Sequence, residues 1–246
     1  MKMILMFSFG RSVHYQMSSK EKSGSSGKPL LRRSLGRLYF VKTPGWLKRI
    51  YPRRLWNKER EKKIIYLTFD DGPNPLVTPF VLDELKRHRA KATFFCIGKN
   101  VLEHPAIYAR IQEEGHRTGN HTQHHLNGWS TSTADYLEDV AAAAKQIDSF
   151  LFRPPYGRIK KEQAKGIGKA IGTDKATIVM WDVLSGDFDL SLSKEKCLKN
   201  VVDNTSPGSI VLFHDSEKAF PRLEYVLPRV LSYFTEKGYS FEKILV

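Results

Sequence analysis

Cysteine is scarce in this chain of 246 residues: Cys96 and Cys197 stand alone, far apart and in unlike surroundings. Two such thiols offer no disulfide framework, and Cys96, inside the apolar run ATFFCIG, reads as a small buried hydrophobe. Also missing is any stretch of about 18 or more apolar residues, so nothing reads as a membrane span. The opening MKMILMFSFG has a lysine and a short apolar run, but no small-residue cleavage site follows before the charged stretch. It is therefore not read as a signal peptide. The compartment stays open between cytoplasm and cell envelope.

Excess charge is absent from most of the chain. The first 63 residues hold 17 Lys and Arg against 3 Asp and Glu, which is the whole net charge of +14. The remaining 183 residues carry 23 of each sign. A high overall pI is thus no argument for nucleic-acid binding; no nucleic-acid motif is present, and no such partner is expected.

What is there falls into two parts, expected as a basic N-terminal extension over 1–62 and a catalytic domain over 63–246. Residues 1–37 mix Ser, Gly, Lys and Arg without apolar periodicity and read as a flexible arm. Residues 38–58 set aromatic and aliphatic anchors between basic residues, and are expected to pack over the outside of the domain. A solvated extension is the favoured reading, because basic runs are usually exposed. The functional alternative is peripheral contact with an anionic envelope or membrane surface.

From residue 63 short β-rich runs alternate with amphipathic stretches. The spacing predicts strands at 64–69, 92–97, 116–120, 150–153, 176–182, 209–214 and 239–245. Helices are expected near 76–88, 101–114, 132–148, 160–171, 193–204 and 220–237. Ser132 or Thr133 is placed to cap the third helix, and Gly115 and Gly238 fall where helices should end. Such alternation implies parallel strands covered by helices. The expected fold is α/β, a (β/α)7-type barrel that is incomplete or distorted, with one strand fewer than the eight of a closed barrel.

In such barrels chemistry gathers at the C-terminal ends of the strands. Asp70 and Asp71 follow the first predicted strand, His121, His124 and His125 the third, and Arg153 to Gly157 the fourth. The fifth ends on Asp182 with Ser185 and Asp187 close behind; His214 and Asp215 end the sixth. Five strand ends thus deliver polar groups to one rim. A carboxylate with two imidazoles would make a three-ligand metal site open to water. His121 and His125 are four apart, one helical turn, while His124 competes through an H-x-x-H spacing. His14, His88, His104 and His116 read as structural or solvated. Of the adjacent acids, one on the metal would leave the other beside the water as a base; the bland alternative is a turn held by side-chain hydrogen bonds.

These residues resemble the polysaccharide deacetylases of the NodB-homology type, carbohydrate esterase family four. The likeness runs from about Tyr66 to the C-terminus through five ordered motifs: Thr68-Phe-Asp-Asp-Gly72, His121-Thr-Gln-His-His125, Arg153-Pro-Pro-Tyr156, Asp182-Val-Leu-Ser-Gly-Asp187 and Leu212-Phe-His214. The resemblance implies the family's distorted barrel and removal of N-acetyl, or O-acetyl, groups from an acetylated glycan. It implies one divalent metal on Asp71, His121 and His125, Zn²⁺ first, with Co²⁺, Ni²⁺ or Mn²⁺ as alternatives. Asp70 matches the base, Arg153 the residue that pairs with and tunes it, and His214 the acid, with Asp182 as the partner of His214. Thr122 matches a support of the histidine loop, the Tyr156 N–H an oxyanion donor, and Leu212 the lining of the acetyl pocket. Where the family often has Trp, Phe188 stands, which keeps an aromatic wall without the indole N–H. The rival readings are hydrolysis of small cyclic amides on the same scaffold and a non-catalytic glycan-binding homologue.

Overall fold

The computed structural model describes residues 39–246. The arm over 1–37 lies outside the described residues. In chain order the elements are α1 (Gly45–Ile50), β1 (Ile64–Asp70), α2 (Val77–Arg87), β2 (Ala92–Cys96), α3 (Gly98–Glu103), α4 (Pro105–Glu113), β3 (Arg117–Asn120) and α5 (Thr133–Ala144). There follow β4 (Leu151–Phe152), a single 3₁₀ turn (Pro155–Gly157), α6 (Lys161–Ile171), β5 (Thr177–Ile178) and β6 (Val183–Leu184). The chain then runs through α7 (Lys194–Asn204), β7 (Ile210–His214), α8 (Phe220–Glu236) and β8 (Ser240–Phe241).

Local sequence accounts for the helix ends. The Ser132 side chain accepts the Asp135 N–H and starts α5; Ser193 does the same for α7 through Lys196 N–H. Gly115 and Gly238, with φ of 80° and 77°, take the left-handed turns that follow α4 and α8. The helix expected over 101–114 is two helices. Pro105 has no N–H and drives His104 out of the helical region, to φ −131° and ψ 56°.

All strand pairs are parallel, in the order β5-β4-β3-β2-β1-β7-β6, with β8 beside the start of β1. The sheet curls into a half-barrel flanked by helices, in keeping with the distorted (β/α) barrel expected. Strands at its centre are buried on both faces, as helix-covered parallel strands are: Ile65, Leu67, Phe69 and Thr68 of β1 are all inaccessible to solvent. One core joins β1, β2 and β7 to α2, α7 and α8; a smaller cluster lies under α5 and α6.

The predicted strand 176–182 is not one strand. It stops at Ile178, and β6 begins only at Val183 on the opposite edge of the sheet. Residues 41–57 run along both edges. Leu55 N–H donates to Ile178 C=O (2.9 Å) and Leu55 C=O accepts from Met180 N–H (2.7 Å). On the other edge Thr43 N–H donates to Asp182 C=O, and Leu184 N–H to Val41 C=O, both at 2.8 Å. The compact unit accordingly spans Val41–Val246. Residues 41–62 are part of the folded unit because backbone hydrogen bonds, which leave no mark on composition, tie them in. Among the described residues no helix is long and apolar enough to cross a membrane.

Candidate active site

Strand β1 ends in the first two acids. Asp70 is its last residue, level with His214 at the end of β7, so register alone sets these two side by side. Asp71 then turns the chain with φ 83°. Gly72 must be glycine because the Asp215 carboxylate fills the space of a side chain: a Cβ there would lie 2.0 Å from its Oδ2. Asp215 holds the turn by accepting the Gly72 N–H (3.0 Å) and the Thr78 hydroxyl (2.6 Å). Burial pushes the Asp215 carboxyl up to about 7.

The histidines come from the loop after β3. His121 is buried, and its Nδ1 donates to the Arg153 carbonyl at 2.7 Å, which leaves Nε2 for the site. Burial lowers its imidazole to about 4. Asp139 of α5 pins the loop, accepting the N–H of Gln123 (2.8 Å) and of His124 (3.0 Å). The His124 ring is drawn outward onto the same carboxylate, Nδ1 to Oδ1 2.6 Å. His124 is therefore not a ligand, and the competing H-x-x-H reading falls.

Asp71, His121 and His125 place one donor atom each within 4.8 Å of one another. His125 Nε2 is 3.2 Å and His121 Nε2 3.8 Å from Asp71 Oδ1. That oxygen is buried and accepts no hydrogen bond. A buried acceptor without a proton donor is costly, and a cation between it and the two imidazoles satisfies it; one carboxylate and two neutral imidazoles are an open three-ligand set. Burial pushes the Asp71 carboxyl up, yet His125, His214 and His121 together hold it below the usual carboxylate range. The residues present fit a divalent metal.

Asp70 lies beside this centre, 3.8 Å from His121 Nε2. Arg153, fully buried, donates from Nη1 to Asp70 Oδ1 at 2.7 Å and to the Thr68 hydroxyl at 2.8 Å. Its other nitrogens are taken by the Val179 and Met180 carbonyls, and its plane lies over Phe95. Such a fixed guanidinium cannot swing away from the carboxylate.

The partner of His214 is Asp187, a correction to the expectation that placed Asp182 there. Asp187 Oδ1 lies 2.8 Å from His214 Nδ1, and Oδ2 accepts the His214 N–H at 2.7 Å. Burial alone would lower the imidazole, but Asp187, with Asp71 and Asp70, raises it to about 9. Asp182 precedes β6 and so sits at the opposite end of that strand from the rim. Its carboxylate receives Lys42 (2.7 Å), Lys48 (2.5 Å), Arg60 (3.3 Å) and the Ser209 hydroxyl (2.7 Å). The resemblance, not the strand pattern, had put Asp182 in that place; Asp187 ends the same motif and follows β6 at the rim.

Tyr156 has φ 60° and sets its ring 4.6 Å from that of His125. The Phe188 ring packs edge-on to His214 at 5.3 Å. Leu212 of β7 is buried between Thr68 and Leu184 on the neighbouring strands. Among the described residues, five other than glycine have positive φ, and four of them, Asp71, Thr122, His125 and Tyr156, are at this rim. Backbone strain of this kind collects where a site must be held in one shape.

Residues 57–173 match the family model described as polysaccharide deacetylase. A peptidoglycan-N-acetylglucosamine deacetylase of Bacillus cereus is 34% identical over 192 residues, which is 76% of this chain and 88% of the relative. The chain belongs to the polysaccharide deacetylase family. A peptidoglycan-N-acetylglucosamine deacetylase of Listeria monocytogenes is 35% identical over 76% of this chain, which spans only 39% of that longer relative. Among solved structures, a peptidoglycan N-acetylglucosamine deacetylase in complex with 4-naphthalen-1-yl-N-oxidanyl-benzamide superposes with a TM-score of 0.70 at 30% identity, over 82% of this chain and 95% of that one. This polysaccharide deacetylase is an enzyme, and the triad of Asp71, His121 and His125 is its divalent-metal site.

Proposed function

We propose that this deacetylase removes the N-acetyl group from N-acetylglucosamine residues of a glycan, peptidoglycan or chitin-like, with Zn²⁺ as its metal. The observation that carries the reading is the pair Asp70 and His214, level on adjacent strands and flanking the metal triad. A protein that only bound glycan would need neither group. The chemistry supplied by a bound divalent ion is polarisation of the acetyl carbonyl and acidification of the attacking water. Zn²⁺ suits one carboxylate and two imidazoles, with Co²⁺, Ni²⁺ or Mn²⁺ as substitutes.

The protein's own groups do the rest. Asp70, held by Arg153, takes the proton of the water that attacks the amide carbon. The oxygen that becomes an anion faces the backbone N–H of Tyr156 as a fixed donor. His214, kept protonated by Asp187, delivers its proton to the departing amine. Asp70 as proton acceptor and His214 as proton donor make an acid/base pair. Leu212 lines the space for the acetyl methyl, and Phe188 walls the His214 side. Acetate and a free amino sugar leave.

The relatives' substrates support the choice of N-acetylglucosamine. Acetate release from chitooligosaccharides and from purified peptidoglycan, after chelation and again after metal is added back, tests it. Release that needs metal supports the reading; activity on small cyclic amides with none on either glycan would overturn it.

A further inference from the structure

Two aromatic residues stand exposed on neighbouring loops of the rim. Tyr156, against His125, is 59% exposed, and Trp129, four residues beyond His125 in the histidine loop, is 44% exposed. A lone exposed aromatic is ordinary on a surface; what marks this one is its place on the loop that carries His125. The loop that carries it is rigidly held. Trp129 N–H donates to Asn127 Oδ1 (3.0 Å), Gln163 Nε2 donates to Gly128 C=O (2.9 Å), and Lys160 Nζ to Thr131 C=O (2.6 Å).

The loop is also pressed onto the segment that carries Tyr156. A Cβ on Gly128 would come within 2.4 Å of the Arg158 carbonyl, so the two backbones touch. The Arg158 guanidinium lies over the Trp129 ring, 5.0 Å from its centroid. Arg158 is two residues from Tyr156, at most about 7 Å of chain. Trp129 thus stands against the segment that carries Tyr156, whose own ring lies on His125.

We propose that Trp129, backed by Arg158, is a stacking platform for the sugar residue next to the one that loses its acetyl group. The ligand is a pyranose ring of the same glycan, and the inference rests on the glycan reading above. A pyranose presents a face of C–H bonds that packs on the electron-rich face of an indole, and Trp offers the largest such face. A cation on the opposite side of the ring stiffens it. A platform fixed before binding loses little entropy on contact.

The test compares kcat/KM on N-acetylglucosamine oligomers of two to five units for the metal-loaded wild type, Trp129→Ala, Trp129→Phe and, as an exposed control on α3, Leu102→Ala. The wild type should gain with length. Trp129→Ala should lose about tenfold on the longer oligomers, the size of an aromatic stacking contribution. The loss should come through KM, with Trp129→Phe restoring most of it and Leu102→Ala matching the wild type. In fluorescence titrations with the pentamer, the wild type should show a change in indole emission that Trp129→Phe lacks. An active wild type whose length dependence and emission change survive in Trp129→Ala would overturn the platform alone. A wild type inactive on every oligomer and on purified peptidoglycan would overturn the glycan reading, and the platform with it.

Discussion

Buried charge collects in two places in this molecule, and they are built on opposite terms. At the rim, Asp70, Asp71 and Asp187 meet Arg153 and three histidines over left-handed backbone, and Asp71 Oδ1 is left without a hydrogen bond. Just before β6, at the seam where residues 42–60 lie against the sheet, Asp182 is met by Lys42, Lys48, Arg60 and Ser209. Both depress a carboxyl pKa: burial pushes Asp182 up, and Lys42, Lys48 and Ser209 bring it down past its ordinary value. A shifted pKa therefore does not separate the two, as structural ion-pair networks shift pKa values too. The separating feature is satisfaction. The seam has a donor for each Asp182 oxygen, whereas the rim keeps an acceptor in reserve.

Substitutions at the two places should thus fail in different ways. Asp70→Asn should lower acetate release by about 10³, within the range for a general base, with metal content by elemental analysis unchanged; full activity would remove Asp70 from its role. Asp71→Ala should lose the bound metal, and activity with it, while keeping its far-ultraviolet dichroism.

Asp187→Asn should lower kcat about 10²-fold and move the alkaline limb of the pH–rate profile. His214, raised to about 9 from an ordinary 6.5, stays protonated until the pH rises through about 9; without the Asp187 charge the fall should start nearer neutrality. The same sign applies to stability: this histidine's contribution is complete below about 6.5 and lost as pH rises through about 9. Asp182→Asn should leave that limb in place and cost about 2 kcal/mol in urea unfolding. That is less than for most broken buried pairs, because the stranded cations are partly exposed and reach water. Lys42→Met, removing one of three cations, should cost about 1 kcal/mol or less. If Asp182→Asn moved the pH limb and Asp187→Asn did not, the contrast between the two places would be reversed.

Much of the rim could be read in the sequence because its residues end long or central strands. Asp70, Arg153 and His214 each follow an apolar run that fixes where the strand stops, and a strand end in a parallel barrel is a place on the rim. Asp187 was read near the rim but not as the partner of His214, because the two-residue β6 that separates it from Asp182 was not read as a strand of its own. The two-helix form of 98–113 was written in Pro105, which a reading by amphipathic pattern passed over. The anchors in residues 38–58 gave a sign that this stretch packs on the domain, but none of where its basic side chains go. Their partners lie more than a hundred residues away in sequence, and a basic stretch that holds one buried carboxylate has the composition of a solvated tail.

The seam also bears on the order in which the protein acquires its shape. Lys42 is separated from Asp182 by 140 residues, and from the Asn204 carbonyl that it also holds by 162. Contacts of that span form slowly, because the loop they close must lose its freedom before they return anything. As the chain leaves the ribosome, residues 41–57 emerge well before either sheet edge exists, so the first segment of this domain to be made is among the last to find its place.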